Sequence, residues 1–117
     1  LRAMQRKEKG FLYLDTHAGR GGYDLGTTTL LPDGRERAPE WPAGIGRLWN
    51  TSAAALPPAL ADYVALVRAY NARLGGTDAE LHFYPGSPWV AHAVLRPQDR
   101  AALCELRAED AEALDIA

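Results

Sequence analysis

The stretch that most restricts how this chain can fold is Phe11-Leu-Tyr-Leu-Asp15 running into Thr16-His-Ala-Gly-Arg-Gly-Gly-Tyr-Asp-Leu-Gly26. A short apolar run between Gly10 and Asp15 reads as a buried parallel strand, because such strands are covered on both faces and lack polar alternation. Glycines at 19, 21 and 22 do not suit a helix interior, so the strand must end in a turn of close backbone approach. In open α/β sheets, ligands bind at the carboxyl ends of the strands, where such turns lie. The turn departs from the dinucleotide fingerprint, and no Gly-Lys-Ser/Thr accompanies it to cradle phosphates.

Residues 27–42 carry Pro32, Gly34, Pro39 and Pro42 and read as an irregular loop or short turns. A short helix is expected from Ala43 to Trp49. Pro57 and Pro58 open a second helix, in which Leu60, Tyr63, Val64, Val67, Tyr70 and Leu74 recur at three- and four-residue steps before Gly75-Gly76. Leu81 to Tyr84 reads as extended and meets the turn Pro85-Gly-Ser-Pro88. Pro88 starts a helix through Leu95, with Ser87 as its cap. Ala101 to Leu106 reads as a second core strand with Glu105 near its carboxyl end, and Glu109 to Ala117 as a last helix. The order is that of an α/β fold.

Composition narrows the class. With 117 residues, 47% hydrophobic and 24% charged, the chain fits one globular domain and excludes collagen-like, disulfide-scaffold and disordered readings. No apolar stretch approaches the roughly 18–20 residues of a membrane helix, and the lone Cys104 with no leader-like opening points to a reducing cytoplasm. Thirteen basic against fifteen acidic residues argue against a general nucleic-acid coat. The charge is uneven: Arg2, Arg6, Lys7 and Lys9 oppose Glu8 in residues 1–9, and acidic residues dominate 99–117. Such blocks usually mark solvated helix faces. The opening at Leu1 inside a charged turn, and the close without a Gly or Pro stop, suggest a piece of a longer chain.

Glu105 stands where a nucleoside-binding fold places a carboxylate for both ribose hydroxyls. In the plain fold that residue follows the glycine turn by about 20 positions; here an insertion, roughly residues 27–84, separates Asp15 from Glu105. On pattern alone, a nucleoside site and a merely structural glycine turn both remain open. His17 could serve either. His82 and His92 lack a Cys pair or metal-ligand spacing, so no metal is assigned. Ser87 lacks the second glycine of a nucleophile elbow, leaving a helix cap or a ligand contact. Trp41, Trp49, Trp89, Tyr63 and Tyr70 read as core before they read as RNA-stacking surfaces. Arg20, Arg35, Arg37 and Arg47 are candidate phosphate contacts.

Phe11 to Gly26, Gly44-Ile-Gly-Arg-Leu-Trp49, Phe83-Tyr-Pro-Gly-Ser-Pro88 and Leu95-Arg-Pro-Gln-Asp99, in this order, resemble the RlmJ-type adenine-N6 methyltransferases of bacterial 23S ribosomal RNA. The resemblance implies a Rossmann-like, S-adenosylmethionine-dependent methyltransferase fold, incomplete here, with a helical insertion (27–84) between its first two strands. It implies cofactor contacts at His17, Gly19, Gly21, Ser87 and Glu105, with Glu105 on the ribose, and 23S ribosomal RNA as partner. The family's catalytic Asp-Pro-Pro-Tyr does not occur in these residues, whose one Pro-Pro is Pro57-Pro58, so no catalytic residue is assigned and the chain is expected to be inactive alone. The alternative is a non-catalytic nucleoside-binding or interaction domain, the family also being described as involved in use of external DNA. Self-association through uncovered apolar surface is a further expectation.

Overall fold

The computed structural model describes residues 1–26 and 30–116; part of the expected 27–42 loop, residues 27–29, lies outside the described residues. The strands are β1 (Leu12–Asp15), β2 (Gly22–Asp24), β3 (Phe83–Pro85) and β4 (Arg100–Leu103). The helices are α1 (Gly46–Trp49), α2 (Pro58–Arg73), α3 (Ser87–Val94) and α4 (Ala108–Ile116), with single 3-10 turns at Met4–Arg6, Trp41–Ala43 and Ala53–Ala55. The mixed α/β chain divides into two compact units, Leu1–Tyr23 with Pro85–Ala117, and Asp24–Tyr84. β2 and β3, along which the chain leaves the first unit and returns, pair as a two-stranded sheet. The expected turn from Thr16 to Gly26 is therefore interrupted by β2 at Gly22–Asp24.

In the first unit β1 and β4 pair in parallel, Leu12 with Arg100 through Asp15 with Leu103. The expected strands exist, but neither is the buried core strand the apolar runs suggested. Leu12 is 62% and Leu14 56% exposed, while Tyr13 and Asp15 are half-buried. Alternate residues of a strand face opposite ways, and α3 packs on both strands with Ser87 bonded to Asp15. One face is covered and the Leu12/Leu14 face is open. β4 also ends before Cys104, so Glu105 lies beyond the strand rather than in it.

A side-chain clasp fixes the amino ends of these strands. The Arg96 guanidinium grips the Asp99 carboxylate with two bonds, Nε to Oδ2 at 3.0 Å and Nη2 to Oδ1 at 3.1 Å. Asp99, 6% exposed, also accepts the backbone N–H groups of Arg96 (2.9 Å) and Phe11 (3.2 Å). The Arg96 bonds, more than any other contact, hold this carboxyl well below its ordinary 3.8. A carboxylate whose folded pKa is depressed stabilises the fold above its unfolded pKa, and that contribution is lost as pH falls towards the folded value. Asp99→Asn is expected to lower the thermal midpoint at neutral pH by at least ~5 °C and to flatten its decline below pH ~4. Calorimetric scans across pH check both.

In the second unit α2 starts on Pro58 after Pro57, whose missing N–H groups cost nothing in a first helical turn. Its buried face is Val64, Val67, Tyr70 and Asn71, of which Val64 and Val67 pack with Ile45, Trp49 and Leu81. Leu60 and Leu74 of the expected stripe are instead 40% and 47% exposed, standing at the two ends of the helix where little covers them. The expected Ala43–Trp49 helix splits into the Trp41–Ala43 turn and α1. Arg68 lies 4.3 Å over the Trp49 ring and donates to its carbonyl. Fully buried Asn71 ties the segment after α2 to the helix: its amide donates to the Thr77 and Glu80 carbonyls and accepts the N–H groups of His82 and Phe83.

Candidate functional site

The residues singled out in the sequence gather at the carboxyl ends of β1 and β4, all within the first unit. Beyond the strands the ladder continues: Cys104 N–H donates to the Asp15 carbonyl (2.8 Å) and Ala18 N–H to the Cys104 carbonyl (2.9 Å). This carries the turn after β1 across the end of β4. Gly19 then takes a φ of +69°, which L side chains rarely adopt, and a Cβ there would lie 2.7 Å from the Tyr23 hydroxyl.

Glu105 locks that turn. Its Oε2 accepts the Gly19 N–H and its Oε1 the Arg107 N–H, both at 2.8 Å. The Arg107 and then the Gly19 N–H hold the Glu105 carboxyl below its ordinary 4.5, so it is ionised at neutral pH. Each carboxylate oxygen has two lone pairs, so the carboxylate keeps acceptor capacity beyond these two N–H groups.

Asp15 is the second centre, and the sequence reading missed it as a site residue. Its carboxylate accepts the Ser87 hydroxyl (2.5 Å), the Tyr13 hydroxyl (3.0 Å) and the His17 N–H (3.1 Å). The Ser87 bond is the leading cause of its lowered pKa. No local signal marked it, because its Ser87 partner lies 72 positions further along the chain. Ser87 does not cap α3 as expected: Gly86 is the cap position, no side-chain cap bond forms, and the hydroxyl goes to the charged acceptor instead. Gly86 donates its N–H to the Gly21 carbonyl at 2.9 Å, and a Cβ on Gly86 would crowd the Gly21 backbone at 3.1 Å. Only glycine allows this approach without displacing the turn.

His17, Gly19, Gly21, Ser87 and Glu105 thus belong to one network, joined through Asp15 and Gly86. His17 is exposed, its Nδ1 2.9 Å from the Thr16 hydroxyl. Arg20 is exposed in the same turn. The other sequence candidates lie elsewhere: Trp49 and Tyr70 are buried, Arg35 pairs with Asp33, Arg37 with Glu40, and His82 with Glu80. Among the described residues no group of three His, Cys, Asp or Glu side chains could hold a metal ion, and no helix is long and apolar enough to cross a membrane.

A family model described as "Ribosomal RNA large subunit methyltransferase D, RlmJ" (RsmJ) matches residues 8–116. Ribosomal RNA large subunit methyltransferase J of Haemophilus influenzae is 44% identical over 110 residues, which is 94% of this chain and 35% of that protein. The protein of that name from Escherichia coli is 39% identical, with the same coverage. The chain therefore spans about a third of the length of these relatives. A crystal structure of a Legionella pneumophila protein of family DUF519 superposes with a TM-score of 0.79 at 32% identity, covering 99% of this chain and 38% of the other.

Proposed function

The chain belongs to the RlmJ family of ribosomal RNA large subunit methyltransferases, and on that premise we propose that it is the cofactor-binding part of an S-adenosylmethionine-dependent enzyme methylating an adenine N6 of 23S ribosomal RNA in the cytoplasm. The fold in this reading is the first portion of a Rossmann-like methyltransferase domain, with a helical insertion, roughly residues 27–84, between its first two parallel strands. The observation that carries the proposal is the Gly19–Glu105 bond, which joins a glycine turn to a carboxylate at the carboxyl ends of paired parallel strands. The relatives' names favour methyl transfer over a non-catalytic nucleoside-binding or nutrient-DNA role.

The residues present fit S-adenosylmethionine. The acceptor capacity left on the Glu105 carboxylate suits ribose hydroxyls. The turn from His17 to Gly21, with Gly19 and Gly21 at φ +69° and +83° and no side chains there, offers bare backbone to the amino-acid end, and Ser87 and Asp15 border it. When bound, the cofactor supplies a methyl group already activated on a sulfonium. The protein's own task is then positioning: Asp15 fixes Ser87 and the His17 backbone, and Glu105 fixes Gly19, so the site is built before ligand arrives.

Isothermal calorimetry with S-adenosylmethionine tests the reading. One site per chain is expected, together with movement of the Gly19 and Gly21 amide resonances. Absence of both heat and resonance shifts would sink it.

A further inference from the structure

Residues 1–9 carry Arg2, Arg6, Lys7 and Lys9 against Glu8 alone, in a chain of net charge −2. The block suggested a solvated helix face, but only the Met4–Arg6 turn is helical and Lys7 is extended at φ −99°, ψ 146°. The backbone is what holds it. The Arg96 guanidinium donates to the carbonyls of Gln5 (3.1 Å), Lys7 (2.8 Å) and Lys9 (3.5 Å), and Gln98 Nε2 to that of Glu8 (3.3 Å). Gln5 Nε2 in turn donates to the Val94 carbonyl. With the carbonyls engaged, the four cationic side chains stand exposed, and none joins an ion pair among the described residues. Arg35, Arg37, Arg68 and Arg107 have carboxylate partners, and the exposed arginines that have none among the described residues, Arg20, Arg47, Arg73 and Arg100, are scattered along the chain rather than gathered in one segment.

We propose that Arg2, Arg6, Lys7 and Lys9 form a pre-ordered strip that binds the phosphodiester backbone of the RNA flanking the modified nucleotide, an inference that rests on the RNA-methylation reading above. Charge complementarity names the occupant, and main-chain pinning removes much of the entropy cost of ordering a basic segment on binding. The strip precedes the amino end of β1, about 13 Å of strand from the glycine turn. It therefore grips flanking backbone and leaves the reacting base to the other end of the sheet, as phosphate contacts position without reading sequence.

The test is fluorescence anisotropy of a labelled oligoriboadenylate of about twelve nucleotides against this chain, from about 50 to about 300 mM KCl. Each single-strand phosphate contact contributes about 0.7 to the logarithmic salt slope. The combined variant Arg2→Gln, Arg6→Gln, Lys7→Gln, Lys9→Gln should lower the slope by about 2.8 and the affinity at about 0.1 M salt by roughly 100-fold or more, with S-adenosylmethionine uptake unchanged. Asp99→Asn, which loosens the clasp and keeps the four cations, should weaken binding several-fold at an unchanged slope. The proposal is overturned if the combined variant keeps the wild-type slope and affinity, or if the wild type does not bind at the lowest salt. RNA binding with the expected slope in a chain that takes up no S-adenosylmethionine would overturn the cofactor reading and support this one.

Discussion

Asn71→Ala is expected to lose ~3–5 kcal/mol of stability from the Asp24–Tyr84 unit, a large share of the ~5–15 kcal/mol that holds a domain together. Asn71 is 1% exposed and uses its whole hydrogen-bonding capacity, two donated and two accepted bonds at 2.9 to 3.2 Å. Truncation leaves two backbone N–H groups and two carbonyls without partners in a site too tight for easy repair, since a Cβ on Gly76 would already overlap the Asn71 amide. Asn71→Asp should be about as damaging: it keeps the bonds from His82 and Phe83 but turns a carboxylate oxygen towards the Thr77 and Glu80 carbonyls. Denaturant titration followed by tryptophan fluorescence reads the effect. Trp41 and Trp49 report on this unit and Trp89 on the other, so single-tryptophan versions resolve which unit melts. A loss under ~1 kcal/mol would show that packing of α2, not this amide, fixes the segment.

Asn71 also marks where reading the sequence stops. The α2 stripe was legible because Val64, Val67 and Tyr70 repeat at helical spacing, yet Asn71, four residues after Val67, lies on the same buried face and was passed over as polar. Periodicity records which side chains prefer burial; it does not record a polar side chain whose partners lie several residues further along. Asp15 shows the same blindness across a longer interval, its Ser87 partner being 72 positions away. The glycine turn was legible for the opposite reason, since Gly19 and Gly21 are local demands of backbone conformation. Burial of β1 was misjudged because Leu12 and Leu14 announce only that a surface is apolar, and the covering face belongs to α3 on the other side. The block Leu95 to Asp99 had no assigned role until the Arg96–Asp99 clasp gave it one.

Glu105→Gln should weaken S-adenosylmethionine uptake by roughly 10- to 100-fold, the range expected when hydrogen bonds to a charged acceptor are lost. The variant also disturbs the turn, because the Gly19 and Arg107 N–H groups go to different carboxylate oxygens and the amide puts an NH2 in place of one of them. A purely structural loss and a lost ribose contact are separated by a cycle with a cofactor analogue lacking the ribose hydroxyls. If Glu105 holds those hydroxyls, the losses from residue and analogue overlap and the combined loss falls well short of their sum; if it only braces the turn, they add. The pH dependence supplies a second discriminator. With its carboxyl held below the ordinary 4.5, first by the Arg107 N–H and then by that of Gly19, Glu105 stays ionised as pH falls through that value. Wild-type uptake attributable to this group should therefore persist through it and decline only at lower pH, whereas the Gln variant has no carboxylate at this position to protonate and should lack that limb. Equal affinities for the two proteins at neutral pH would remove Glu105 from the site and leave it as the brace of the glycine turn.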